Sequence, residues 1–222
     1  MNKPQGYSSF DVVRIVRAIL KEKKVGHCGT LDPMATGILL IVYGKATKIS
    51  EKLMSKNKTY FAKVTLGIKT DSGDKTGKIL ETSETLPQLS DEKLRETFKK
   101  FEGDIVQKTP MHSAAKRGGK KLYEYARAAE LLTQSMRHIT IYSLQLEAWC
   151  ANEIQFTVEC SSGTYIRTLA EDLGEALGCP ATLSFLERTK SGQFVVENSL
   201  NLETVRAMSR ENLLQCARLV HE

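Results

Sequence analysis

Asp32 stands out by its surroundings. It lies in Gly26-His27-Cys28-Gly29-Thr30-Leu31-Asp32-Pro33-Met34-Ala35-Thr36-Gly37, among three glycines, a proline and two threonines, a mixture that favours a tight irregular backbone over helix or strand. Most Asp-Pro pairs in such loops are turn-formers or helix caps, so chemistry at Asp32 depends on what joins it. Tyr60, Tyr165 and Arg167 all fall near the ends of expected elements. Taken singly they are strand aromatics and a surface arginine. Taken with Asp32, they are what an enzyme needs to hold a flat heterocycle beside one charged reactive group.

Other chemistries lack their residues. His27-Cys28 has the types of a nucleophile pair, but catalytic partners meet in space, and adjacency in sequence implies little. The other histidines, His112, His138 and His221, are scattered, with no metal-binding spacing. From Gly73 to Gly77-Lys78 the spacing is one residue short of a phosphate-binding loop and lacks the following Ser or Thr, and no glutamate completes a calcium loop from Asp71. With no metal site and no dinucleotide fingerprint, the chemistry would run on Asp32 without a cofactor.

The elements that must position these residues can be read in order. Ser8, with Asp11 three residues on, caps a helix running to about Lys24 with Val12, Val16, Ile19 and Leu20 as its apolar stripe. The run Ile38-Leu39-Leu40-Ile41-Val42-Tyr43 reads as a buried strand, so the Asp32 loop is held at both ends. Gly44-Lys45-Ala46-Thr47-Lys48 opens a short helix, and Lys58 to Leu66 alternates as a strand with Tyr60, Ala62, Val64 and Leu66 on one face. Residues 68–78 read as a long polar turn. Ser90 caps a helix that Gly103 ends, with Leu94, Phe98 and Phe101 buried.

From Gln107 to Lys121 the chain is rich in proline, glycine and lysine, and a short helix is expected over 122–127. Lys116, Arg117, Lys120, Lys121 and Arg127 make this the densest basic patch, with Tyr123 and Tyr125 able to stack bases. Strands follow over Ile139–Trp149 and Glu153–Cys160, then a helix from about Tyr165, a strand over Thr182–Thr189, and helices from Leu202 to Leu219.

Composition bounds the rest. The 222 residues are enough for one large domain or two small ones, and 41% apolar with 26% charged residues is ordinary globular usage. A net charge of +6 and a pI near 9.0 favour a polyanionic partner. Five cysteines, an odd number without a C-x-x-C pair, suit a reducing compartment. No apolar run approaches the ~18 residues of a membrane span, and the start lacks a signal peptide's hydrophobic segment, so a cytoplasmic protein is expected.

The Asp32 loop, with Lys3-Pro4-Gln5-Gly6 upstream and Gly44-Lys45-Ala46-Thr47-Lys48, Lys58-Thr59-Tyr60, residues 118–127 and Ser162-Gly163-Thr164-Tyr165-Ile166-Arg167 downstream, closely resembles the TruB family of bacterial tRNA pseudouridine synthases. Order and spacing match across nearly the whole chain. The resemblance implies a pseudouridine synthase fold: mixed α/β (α+β), with a largely antiparallel central sheet, flanking helices and an active-site cleft across it. It also implies isomerisation of uridine 55 in the T-loop of tRNA, without cofactor or metal, by a monomer that grips the T-arm.

By that resemblance Asp32 is the essential carboxylate, acting as nucleophile or base on the sugar or the uracil ring, and Arg167 would keep it ionised. Tyr60 would stack on the target base and help move the proton from carbon 5. Tyr165 and Leu186 would wall the base pocket, and His27 would fill the space the flipped base leaves. Lys3, Lys45, Lys48, Lys116, Lys120 and Lys121 would hold RNA phosphates.

Relatives usually carry an apolar strand before the Lys-Pro-x-Gly turn, and many carry a C-terminal RNA-binding PUA domain. With the chain beginning at Met1-Asn2, either the sheet lacks that strand or the native start lies upstream; with Glu222 at the other end, the expectation is one catalytic domain over 1–222 without a PUA domain, with a subdomain around 68–140 that clamps RNA. Cys28, where Thr is commoner, and His112, where Tyr is common, are milder departures. Two alternatives stay open, a non-catalytic tRNA-binding or RNA-folding module and a guide-RNA-dependent synthase. An intact Asp32, Tyr60 and Arg167 argue against the first.

Overall fold

A computed structural model describes residues 1–110 and 135–217, and the backbone of 116–117 and 120–121. In chain order the elements are β1 (Asn2–Lys3), α1 (Ser9–Leu20), β2 (Val25–His27), β3 (Thr36–Ile38), β4 (Ile41–Tyr43), a 3-10 helix (Gly44–Ile49), α2 (Ser50–Met54), β5 (Lys58–Leu66), β6 (Ile68–Thr70), β7 (Ile79–Thr82), α3 (Asp91–Lys99), β8 (Gly103–Lys108), β9 (Lys116–Arg117), β10 (Lys120–Lys121), β11 (Met136–Cys150), β12 (Glu153–Cys160), α4 (Ile166–Leu177), β13 (Ala181–Ser191), β14 (Phe194–Val195), a 3-10 turn (Val196–Asn198), α5 (Leu202–Ala207) and α6 (Arg210–Gln215).

The main sheet has the order β1-β3-β13-β5-β12-β11-β8, with β14 folded back on β13. Antiparallel pairing joins β1 to β3, β12 to β11 and β11 to β8, while β13 runs parallel to β3, with Arg188 opposite Gly37. The mixed, mostly antiparallel sheet with helices agrees with the expected fold class. Two compact units divide the chain, 1–60 with 187–222 and 61–186. The subdomain expected around 68–140 falls within the second.

In the first unit, α1 begins at the expected capping box. The Ser8 hydroxyl accepts from the Asp11 N–H at 3.1 Å, and the Asp11 carboxylate accepts from the Ser8 N–H at 2.9 Å. A cap of this kind is worth about 1 kcal/mol. Val13, Val16 and Leu20 of α1 pack with Val25, Val205 and Leu213, while Cys28, Val42 and Leu53 form a second cluster. The helix ends earlier than expected, at Leu20, because Lys21 turns into the left-handed conformation at φ 51°.

In the second unit, the Phe98 ring of α3 meets Phe156 of β12 edge-on at 5.7 Å, over a core that includes Leu94, Ile154, Val158, Leu169 and Leu173.

Two expectations are corrected. The apolar run 38–43 is not one strand: β3 ends at Ile38, Leu39 and Leu40 belong to no strand, and β4 pairs with β2 in a separate two-stranded sheet. The polar stretch 68–78 is not all turn: Ile68–Thr70 pairs with Ile79–Thr82 as a hairpin. Every residue of β7 is exposed, so backbone pairing holds it and no buried face marks it in sequence. The helix expected over 122–127 lies outside the described residues, and the last helix, expected to reach Leu219, ends at Gln215.

Candidate active site

Asp32 sits half-buried in the loop between β2 and β3, and several independent anchors fix that loop. The Ser9 hydroxyl, on the first turn of α1, accepts from the Leu31 N–H at 2.8 Å and donates to the Leu31 carbonyl at 3.1 Å, locking the residue before Asp32. Leu31, Met34 and Ala35 are buried beneath it. The Asp32 carbonyl accepts from the Ala35 N–H at 3.0 Å, and the Pro33 carbonyl from the Gly6 N–H at 2.8 Å. The loop is thus a rigid mount for one carboxylate.

Lys3 corrects an expectation. It is fully buried, not on a phosphate-binding surface, and its ammonium donates to the carbonyls of Tyr7 at 2.7 Å, Pro4 at 2.9 Å and Pro33 at 3.4 Å. Burial lowers its pKa to about 8, the Arg188 charge acts the same way, and the carboxylates of Asp32 and Asp11 oppose them. Charged, Lys3 supports the Asp32 loop from below.

The other expected residues of the first unit are His27, half-buried at the end of β2, Tyr60, 9% exposed on β5, and Lys45 and Lys48, exposed on the 3-10 helix. Cys28 is buried, and burial raises its thiol pKa, which keeps it protonated and unsuited to nucleophilic attack.

In the second unit, Tyr165 and Arg167 stand at the start of α4, and Leu186 is buried on β13. Arg167, 5% exposed, donates to the Ser72 carbonyl at 2.8 Å. Lys116 and Lys121 pair across a short hairpin with Arg117 opposite Lys120; their side chains lie outside the described residues.

A cavity of about 780 Å³ opens beside Arg167, lined by Glu171, Asp172, Glu175, Lys69 and Lys108 among others. Burial raises Asp172 to about 6, with the Glu175 charge adding and Lys108 opposing. Among the described residues, no three His, Cys, Asp or Glu side chains are arranged to hold a metal ion. No helix among them is long and apolar enough to cross a membrane.

Three positioning residues escaped the sequence reading. Ser9 is one. Gln107, 1% exposed on β8, clamps the backbone of Tyr165: its amide donates to the Tyr165 carbonyl at 3.0 Å and accepts from the Tyr165 N–H at 2.8 Å. Tyr165 is the residue that leads into α4, so this clamp from β8 fixes the start of the helix. The third is Arg188, 1% exposed, which donates to the carbonyls of Ile38 at 2.8 Å and Gly29 at 3.1 Å. The period of two in β13 puts Arg188 in phase with buried Leu186, a signal that could have found it.

The mixed sheet and its helices are shared with solved structures. The fold superposes on a Cbf5-Nop10-Gar1 complex with a TM-score of 0.70 and 30% identity, covering 91% of this chain, and on an archaeal box H/ACA Nop10-Cbf5 complex at 0.67 and 27%, covering 92%. The chain spans about half the length of those solved chains, 51% in each case. Family comparison is narrower: residues 17–166 match the N-terminal domain of TruB family pseudouridylate synthases, and 167–217 a C-terminal domain of tRNA pseudouridylate synthase B. The chain belongs to the TruB family of pseudouridylate synthases and is an isomerase. It is 45% identical over 214 residues to tRNA pseudouridine synthase B of Francisella philomiragia, covering 96% of this chain and 71% of the relative. It is 43% identical to that of Burkholderia mallei, covering 95% and 69%.

Proposed function

We propose that this protein isomerises uridine 55 in the T-loop of tRNA to pseudouridine, with Asp32 as the catalytic carboxylate and neither cofactor nor metal. The observation that carries the reading is the mounting of Asp32: a half-buried carboxylate whose loop is tied down by Ser9, Lys3 and Arg188. Relatives named tRNA pseudouridine synthase B supply the substrate class.

In this reaction the bond from carbon 1′ to nitrogen 1 breaks, the uracil rotates, a bond from carbon 1′ to carbon 5 forms, and carbon 5 loses its proton while nitrogen 1 gains one, so the product is an isomer. Asp32 acts as nucleophile or base, Tyr60 stacks on the uracil and assists the proton's departure, and Arg167 completes the catalytic set. The uridine must leave its stack, at a cost of a few kcal/mol that contacts from Tyr60, Tyr165 and Leu186 offset, with His27 entering the vacated space. Lys45, Lys48, Lys116, Lys120 and Lys121 track phosphates.

The test is tritium release from tRNA labelled at uracil carbon 5. Wild type releases one tritium per tRNA, Asp32→Asn releases none while still binding, and tRNA with cytidine at position 55 is inert. Release by Asp32→Asn at the wild-type rate would overturn the assignment of the carboxylate. Release only in the presence of a guide RNA would replace it with a guided enzyme.

A further inference from the structure

We infer that Arg188 is a positioning residue for the reaction, a buried staple that sets where Asp32 stands; this rests on Asp32 being the catalytic carboxylate. Three contacts from this one residue meet the loop. Its backbone lies opposite Gly37 in the parallel β13–β3 pairing, its Nε donates to the Ile38 carbonyl at 2.8 Å, and its Nη2 donates to the Gly29 carbonyl at 3.1 Å. Residues 29 and 38 are the two ends of the segment that carries Asp32, so one guanidinium fixes the span between them.

The approach is close at both ends. A Cβ built on Gly29 would lie 3.4 Å from Arg188 Nη1, and one on Gly37 would lie 2.3 Å from the Arg188 carbonyl oxygen. Burying a cation is costly unless its donors are satisfied, and carbonyls at fixed positions suit the rigid planar fork of arginine better than the single point donor of lysine. Ser9 and Lys3 hold the middle of the same loop through Leu31 and Pro33, so Arg188 adds the ends. A carboxylate displaced by about 1 Å loses on the order of 100-fold in rate.

The experiment compares wild type, Arg188→Met and Arg188→Lys in two measurements. The first is steady-state tritium release from uracil-labelled tRNA. Arg188→Met loses about 100-fold in kcat and Arg188→Lys about 10-fold, with KM within about twofold of wild type in both. The second is amide hydrogen exchange on the free proteins: amides of residues 29–38 exchange faster in both variants, while those of α1 keep wild-type protection. Unchanged loop exchange, full kcat in Arg188→Lys, or loss of protection in α1 along with the loop would each overturn the staple. If Arg188→Met fails to fold, Arg188→Lys, which keeps the charge and most of the volume, decides alone. Absence of tritium release by wild type would defeat the proposed function, while the exchange measurement would still decide whether Arg188 holds the loop.

Discussion

Replacing Gly37 with alanine tests the close approach of β3 to β13 directly. Gly37 has φ +100°, a conformation that costs a residue with a Cβ about 1–3 kcal/mol. The added Cβ would also lie 2.3 Å from the Arg188 oxygen, 2.6 Å from its nitrogen and 2.8 Å from its carbonyl carbon, all backbone atoms that cannot swing aside. Ordinary contact begins near 3.4 Å, so the strands must part by about an ångström, straining hydrogen bonds worth about 1 kcal/mol each. Strain and separation together come to roughly 3–6 kcal/mol. At about 2–4 °C per kcal/mol for a chain of this size, the melting temperature falls by roughly 6–24 °C.

Gly29→Ala is the matched control. It has the same φ of +100°, but its nearest neighbour is the tip of the Arg188 side chain at 3.4 Å, so only the conformational strain applies. Scanning calorimetry of the two variants side by side separates the terms. Gly37→Ala melting no lower than Gly29→Ala would refute the claim that strand approach, and not glycine's conformational freedom, governs the join.

Gln107→Leu leaves the N–H and carbonyl of Tyr165 without the clamp, at roughly 2–4 kcal/mol, measurable by urea denaturation; an unchanged midpoint would sink that role. Asp172 has a folded pKa raised to about 6 from 3.8, so the folded state holds its proton more tightly than the unfolded one. Its contribution to stability is therefore fullest below about pH 4 and is lost as pH rises through 6. Asp172→Asn should stabilise the protein at pH 8 by about 1 kcal/mol, after discounting for its partial solvent exposure, and by little at pH 4.5, as melts at both pH values will show. Replacing Lys45 and Lys48 together by alanine should reduce the salt dependence of tRNA binding by about 1.4 in the slope of log K against log salt, while a slope equal to wild type would remove both from the phosphate contacts.

Local signals were legible in sequence where the cause is local. The Ser8–Asp11 capping box marks its own helix start, and the alternation from Lys58 to Leu66 appears residue for residue as buried and half-buried positions. The run 38–43 was misjudged because periodicity cannot show that adjacent strands join different sheets: β3 pairs with β1 and β13, β4 with β2. Gln107 and Ser9 left no trace, since each acts on a backbone 58 or 22 residues away and any polar residue would look the same. Asp32 was visible because its mount needs glycines and a proline close in sequence. The anchors of that mount were not.

The basic residues show most clearly what a charge count misses. Net charge treats every lysine and arginine as solvated and available to a polyanion, yet among the described residues Lys3, Lys58, Arg167 and Arg188 are buried, against a single buried carboxylate, Asp74. Lys3, Lys58 and Arg188 donate to backbone carbonyls: Lys3 to three, Lys58 to those of Met54 and Lys56, and Arg188 to two. A cation held this way is too deeply placed to neutralise a phosphate; it fixes loops and the ends of elements, where backbone carbonyls lack partners within their own element. Attraction for RNA must then come from where exposed charge is concentrated, as at Lys45 and Lys48, and not from the total of +6. The same distinction gives Lys3 and Arg188 their meaning: removing either should leave the salt dependence of tRNA binding unchanged while slowing catalysis, the reverse of the pattern expected for the lysines of the 3-10 helix.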